Sequence, residues 1–151
     1  TLATAPTLLS IPEYPWEKIG FAVNEGPAVL IKDQKIWITY SASATDENYA
    51  MGLLWADVKA DLLQGFSWHK AKKPVFTSST TYQLYGPGHN SFTTDDDGHL
   101  YFVYHARPYD NHQIIGDSLA NPDRHTYVQP LKWDDQRHRP LFDQPGEGVL
   151  Q

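Results

Sequence analysis

The chain has 151 residues, 40% of them hydrophobic and 20% charged, a formal net charge of −6 and no cysteine. That length allows one domain with a sizeable core. The absence of any lysine- or arginine-rich run argues against nucleic acid as a partner. Missing cysteines exclude disulfides and thiolate metal sites, and no apolar run approaches the roughly 20 residues that span a bilayer.

The chain opens on Thr1-Leu2-Ala3-Thr4, without an initiator methionine or a signal-like stretch, which predicts a mature or truncated product. Ala28 to Lys32, the turn Asp33-Gln34 and Lys35 to Ser41 predict a hairpin of strong β formers. Met51 to Ala56 predicts a third strand and Trp68 to Phe76 an outer fourth. Between them Asp57 to Gly65 lacks strand alternation and is read as a helical turn. The cycle then restarts, with His89 to Thr94, the turn Asp95 to Gly98, Leu100 to Ala106, and Thr126 to Trp133. From Gly26-Pro27 to Gly88-His89 is about 60 residues, a spacing compatible with four-stranded blades, although sandwiches also yield short strands at regular intervals. The polar loop from Pro108 to Asp123 is expected to cover one face of a site. No long helix is predicted. Five Trp, nine Tyr and six Phe are many for this length, and suit both half-buried strands and the stacking of sugar rings.

Three residues stand out chemically. Glu25 lies where an apolar strand delivers a carboxyl to a Gly-Pro corner. Desolvation in a funnel there would raise its pKa, as a general acid working near neutrality requires; on local sequence alone a glutamate capping a surface turn is the alternative. His89 follows the Gly86-Pro87-Gly88 turn, where missing Cβ atoms let backbone approach a ligand closely and place Asn90 beside it. A lone histidine is also an ordinary structural residue. Arg124 precedes the last strand; its planar guanidinium could hold a carboxylate and a sugar hydroxyl together, or simply pair with Asp123 or Asp117. The run Asp95-Asp96-Asp97-Gly98 lacks EF-hand spacing and is read as a hairpin turn. Ser41 to Thr45 has no histidine-aspartate arrangement to support a serine nucleophile.

Three motifs occur in order: Val23-Asn24-Glu25-Gly26-Pro27, Tyr85 to Phe92 leading to Leu100 through Arg107, and Asp123-Arg124-His125-Thr126. Together they resemble family 43 of the glycoside hydrolases, and the resemblance runs from about Pro12 to Phe142. It implies an all-β chain forming part of a five-bladed β-propeller, about two and a half four-stranded blades. Residues 1–151 would be the C-terminal portion, with the N-terminal blades absent. It implies an inverting glycosidase in which Glu25 is the general acid, Arg124 and His89 contact substrate, and His89 can ligate a water-completed structural calcium. No cofactor is required for the chemistry. His105 is read as a wall residue near the channel. The family's general base and the aspartate that tunes the acid have no counterpart here, since the aspartates present lie in turns or after strands. Tyr127 stands where many relatives carry a second arginine.

The run Tyr40 to Tyr49, with Tyr85 to Phe92, most resembles the α-L-arabinofuranosidase branch, acting on arabinan- or arabinoxylan-type polysaccharides. A β-xylosidase or an endo-arabinanase remains open, as does a non-catalytic carbohydrate-binding half-propeller. An open ring leaves a blade face unpartnered, so the expected partners are an arabinose-containing oligo- or polysaccharide and a complementary half-propeller chain or a second copy. No nucleic acid or membrane partner is expected, and alone the chain should be inactive and poorly soluble.

Overall fold

The computed structural model describes residues 4–150. Its strands pair antiparallel throughout. The first sheet has the order β1-β2-β3-β4, formed by β1 (Asn24–Lys32), β2 (Lys35–Ala42), β3 (Ala50–Asp57) and the short β4 (His69–Lys70). The second sheet has the order β5-β6-β7, with β5 (Tyr85–Thr94), β6 (Leu100–Arg107) and β7 (His125–Pro130). A separate hairpin joins β8 (Lys132–Asp134) to β9 (Arg139–Leu141). Among the described residues, no helix is long and apolar enough to cross a membrane.

The expected hairpins form, and the differences have local causes. The β1–β2 turn puts Asp33 and Gln34 at φ 53 and 60, the left-handed pair that matches strand twist in a two-residue connection. The outer strand expected over Trp68 to Phe76 pairs regularly only at His69 and Lys70. Phe76 returns to Met51 as an isolated bridge after Pro74, which has no N–H for a ladder. Instead of a helical turn, Asp57 to Gly65 makes two successive turns whose Asp57 and Asp61 carboxylates accept from the backbone N–H of Lys59 and Leu63. A short 3₁₀ helix follows at Gly65–Ser67. The strand expected to continue to Trp133 changes partner at Pro130, and β8 pairs with β9 instead.

The main core lies between the two sheets. Met51, Phe76, Leu84, Phe102, Tyr104, Ala106 and Leu131 are buried there, with Leu30 and Phe92 packed against them. Phe76 meets Phe102 and Tyr104 edge-on at 5.1 and 4.9 Å between ring centroids, a favoured quadrupole geometry. On the opposite face of the first sheet, Tyr40, Ala42 and Leu54 pack with Leu9, Trp16, Ile38 and Trp68. The N-terminal segment is therefore tied to this face.

Glu17 makes that tie. It is fully buried, and its two oxygens collect the Lys70 ammonium at 2.7 Å, the Tyr40 hydroxyl at 2.8 Å, Asn24 Nδ2 at 3.0 Å, and the backbone N–H groups of Glu13 and Tyr14, each at 2.8 Å. Burial alone would raise this carboxyl. The hydrogen bonds from Lys70, the backbone and Tyr40 outweigh it and bring the pKa down to about 2.

Candidate active site

Glu25 and His89 arrive from different sheets. β1 and β5 lie side by side, and each carries an irregularity of register at the relevant place: between Glu25 and Ala28 in β1, and on either side of Gly88 in β5. Bulges of this kind re-aim side chains. Gly26, at φ +55, packs so closely that a Cβ there would come within 2.9 Å of the His89 ring. His89 itself adopts φ 49, an uncommon conformation for a residue other than glycine, and its backbone N–H donates to Ser41 Oγ at 2.8 Å.

Tyr49 joins the two. It is 1% exposed, and its hydroxyl donates to Glu25 Oε1 at 2.6 Å while lying 3.5 Å from His89 Nδ1. Its ring stacks on His105 at 5.5 Å, and His105 in turn stacks on His89 at 6.4 Å. Burial chiefly, with Arg124, His89 and Arg107 nearby, pushes the His105 imidazole down to about 4, so it is neutral at neutral pH. Burial and then the Glu25 hydrogen bond push the Tyr49 hydroxyl well up; it remains a donor throughout the working range.

Gly86-Pro87-Gly88, expected as a turn, instead lies within β5, and its glycines serve this tyrosine. A Cβ at Gly88 would fall 2.5 Å from the Tyr49 ring and 2.8 Å from Ser41 Oγ, and one at Gly86 would fall 2.2 Å from the Asp46 carbonyl oxygen. The close approach expected for a ligand is thus taken up by the protein's own side chain and backbone. Asn90, expected beside the ligand, is buried instead and accepts from the Thr39 hydroxyl at 2.7 Å, linking β5 to β2.

Arg124 sits immediately before β7, half-buried. Its Nη2 donates to the Leu119 carbonyl at 3.1 Å. Among the described residues it forms no ion pair: Asp123 is engaged by the Tyr109 hydroxyl at 2.6 Å and by His125 Nε2 at 2.9 Å. The Arg124 charge lies near enough to act on both Tyr49 and His105, lowering each. Glu25, His89 and Arg124 therefore surround one ring stack. Glu25 is half-buried and borders two clefts. One, of about 440 Å³, is shared with Leu8, Leu9, Pro27 and Tyr40. The other, of about 270 Å³, is shared with Phe21, Val23, Thr45 and Leu119. Leu119 comes from the loop expected over the site, and buried Arg107 fastens that loop by donating to the carbonyls of Ser118 and Asn121 at 2.8 and 3.3 Å.

Tyr49, Arg107 and Glu17 were not singled out from the sequence. Tyr49 closes the Tyr40 to Tyr49 run, and two glycines without an evident ligand were the available sign that a bulky ring fills their space. Several turn aspartates are engaged by the protein itself: Asp95 by neighbouring His99 and Tyr101, Asp134 by Arg137, and Asp33 by Trp133 and His138 from the β8–β9 hairpin. Among the described residues, no group of three or more His, Asp or Glu side chains converges as a metal cage. His89 offers one nitrogen, whereas calcium takes six to eight oxygens.

A family model described as glycosyl hydrolases family 43 matches residues 1–137. An alpha-L-arabinofuranosidase B of Pyricularia oryzae is 49% identical over 134 residues, covering 88% of this chain and 27% of that protein. An extracellular exo-alpha-(1->5)-L-arabinofuranosidase of Streptomyces avermitilis is 48% identical over 135 residues, covering 89% and 28%. The crystal structure of an alpha-L-arabinofuranosidase from Lactobacillus brevis aligns with a TM-score of 0.90 at 52% identity, covering 95% of this chain and 44% of that one. This chain thus spans 27% and 28% of the length of those two curated relatives.

Proposed function

The chain belongs to family 43 of the glycosyl hydrolases, and on that premise we propose that it carries the general acid of an inverting α-L-arabinofuranosidase. The observation that carries this reading is the setting of Glu25: a half-buried carboxyl on a strand irregularity, held at one oxygen by Tyr49 and facing clefts. Relatives named as arabinofuranosidases at 48% to 52% identity support the substrate class. Glu25 would protonate the glycosidic oxygen as its bond to the sugar breaks, the bonding pair leaving with that oxygen. An aspartate outside this chain would take a proton from the attacking water, at roughly 6.5–9.5 Å from Glu25. Arg124, free of carboxylate partners among the described residues, would contact substrate beside the acid. His89 would form the adjoining wall and could contribute one ligand to a water-completed cation, with no step passing through that ion.

The reading includes a five-bladed propeller in which the two sheets are successive blades. β1 leaves Val29 and Ile31 at 56% and 66% exposed on the face that also holds Leu8 and Ile38. Preceding blades, from the remainder of the protein or a complementary chain, would cover it.

The test is ¹H NMR of the sugar first released from an α-L-arabinofuranoside by the complete enzyme. The β-anomer must appear first; initial release of the α-anomer would overturn inversion. Selective release of xylose from β-xylosides, or internal cleavage of arabinan, would instead select the β-xylosidase or endo-arabinanase reading.

A further inference from the structure

Building on the reading of Glu25 as proton donor, we propose that Tyr49 is the positioning residue of that acid, holding Oε1 so that Oε2 alone carries and delivers the proton. A neutral carboxyl has one carbonyl oxygen, which accepts, and one hydroxyl oxygen, which donates. The Tyr49 hydroxyl donates to Glu25 Oε1 at 2.6 Å, so Oε1 is the accepting oxygen and the acidic proton sits on Oε2. The same bond then persists to the carboxylate left after transfer, where it is stronger because its acceptor is charged.

The rest of the pocket fixes Tyr49 for this task. It has two other polar neighbours: the Ser41 hydroxyl, which donates to the tyrosine oxygen and so leaves its proton to Glu25, and His89 Nδ1, at 3.5 Å too far to compete for that proton. The ring is held on one side by the neutral His105 stack and on another by Gly88, where any Cβ would collide with it. A phenylalanine would fill the same volume, and burying a hydroxyl costs free energy unless it is bonded. The hydroxyl's short bond is to Glu25. Orienting that carboxyl is what distinguishes tyrosine from phenylalanine here.

The test is Tyr49→Phe in the complete enzyme, assayed on two substrate types. On alkyl or oligosaccharide arabinosides, whose leaving oxygens need a proton, kcat should fall roughly ten- to hundredfold with KM unchanged. On an activated dinitrophenyl arabinoside, kcat should stay within about threefold of wild type, because that leaving group departs without protonation. Equal losses on both types, a change confined to KM, or wild-type kinetics would overturn the proposal.

Glu25→Gln in parallel separates the two levels. If Glu25→Gln shows the leaving-group contrast and Tyr49→Phe does not, only the role of Tyr49 falls. If Glu25→Gln loses both substrates equally, the acid assignment falls and the positioning role with it. A readout independent of the folding of Tyr49→Phe is the ¹³Cζ resonance of Tyr49 in tyrosine-labelled enzyme. It should move on Glu25→Gln, and an unmoved resonance would overturn the hydrogen bond on which the proposal stands.

Discussion

Glu25 and Glu17 flank the same strand start, and their surroundings give them opposite capacities. Glu17 is saturated with donors on both oxygens, including an ammonium, and stays ionised. Glu25 has one hydroxyl donor, on one oxygen, and an open aspect toward the clefts. On the proposed reading, the Glu17 carboxyl serves structure and the Glu25 carboxyl would serve proton transfer. Arg124 belongs to the same scale. If Arg124 contacts substrate as proposed, Arg124→Lys should weaken kcat/KM by about 1–3 kcal/mol, since an ammonium could not bond the Leu119 carbonyl and a substrate group together as the guanidinium fork would. Wild-type kinetics would assign Arg124 to fastening the loop alone. Glu25, His89 and Arg124 could be picked out from sequence because Gly-Pro corners and charged residues at strand starts are local signals. Tyr49 could not, because its role arises only when β5 is laid against β1 and closes on its ring.

At the scale of the element, irregular pairing does the aiming. β1 and β5 each break register beside a candidate site residue, Glu25 in one and His89 in the other. The regular hairpins were legible from alternation and turn residues. The bulges were not, because an extra residue in a strand changes no local propensity. Expected strand ends failed after Lys70, where the ladder to β3 lapses until Val75 and Phe76 return to Met51, and at Leu131, after which the chain leaves β6 for the β8–β9 hairpin. The attachment of the N-terminal segment through Glu17 is also tertiary, and it has a pH signature. Its folded pKa of about 2 lies below the ordinary carboxylate value of 4.5. The stabilisation is therefore complete above pH 4.5 and is lost as pH falls toward 2. Thermal unfolding should show the midpoint of wild type falling more steeply across that window than that of Glu17→Gln. At neutral pH the variant should be less stable by about 3 kcal/mol, because Lys70 keeps its charge in a partly buried site without its main counter-ion. Parallel curves would assign the acid sensitivity to other carboxylates.

At the scale of the molecule, two antiparallel sheets share an aromatic core and bring one acid to their common edge. The all-β class followed from strand formers and turns. The arrangement beyond the two sheets was not legible, because it concerns surfaces such as Val29 and Ile31, which stand exposed among the described residues. The proposed function rests most on Glu25 donating a proton in the complete enzyme. The decisive measurement is kcat for Glu25→Gln in the complete enzyme across aryl arabinosides of graded leaving-group acidity. Proton donation by Glu25 predicts loss of turnover with poor leaving groups, activity near wild type with the most activated, and a steep dependence between them. A uniform loss across the series, with the shallow dependence of the wild type retained, would contradict it.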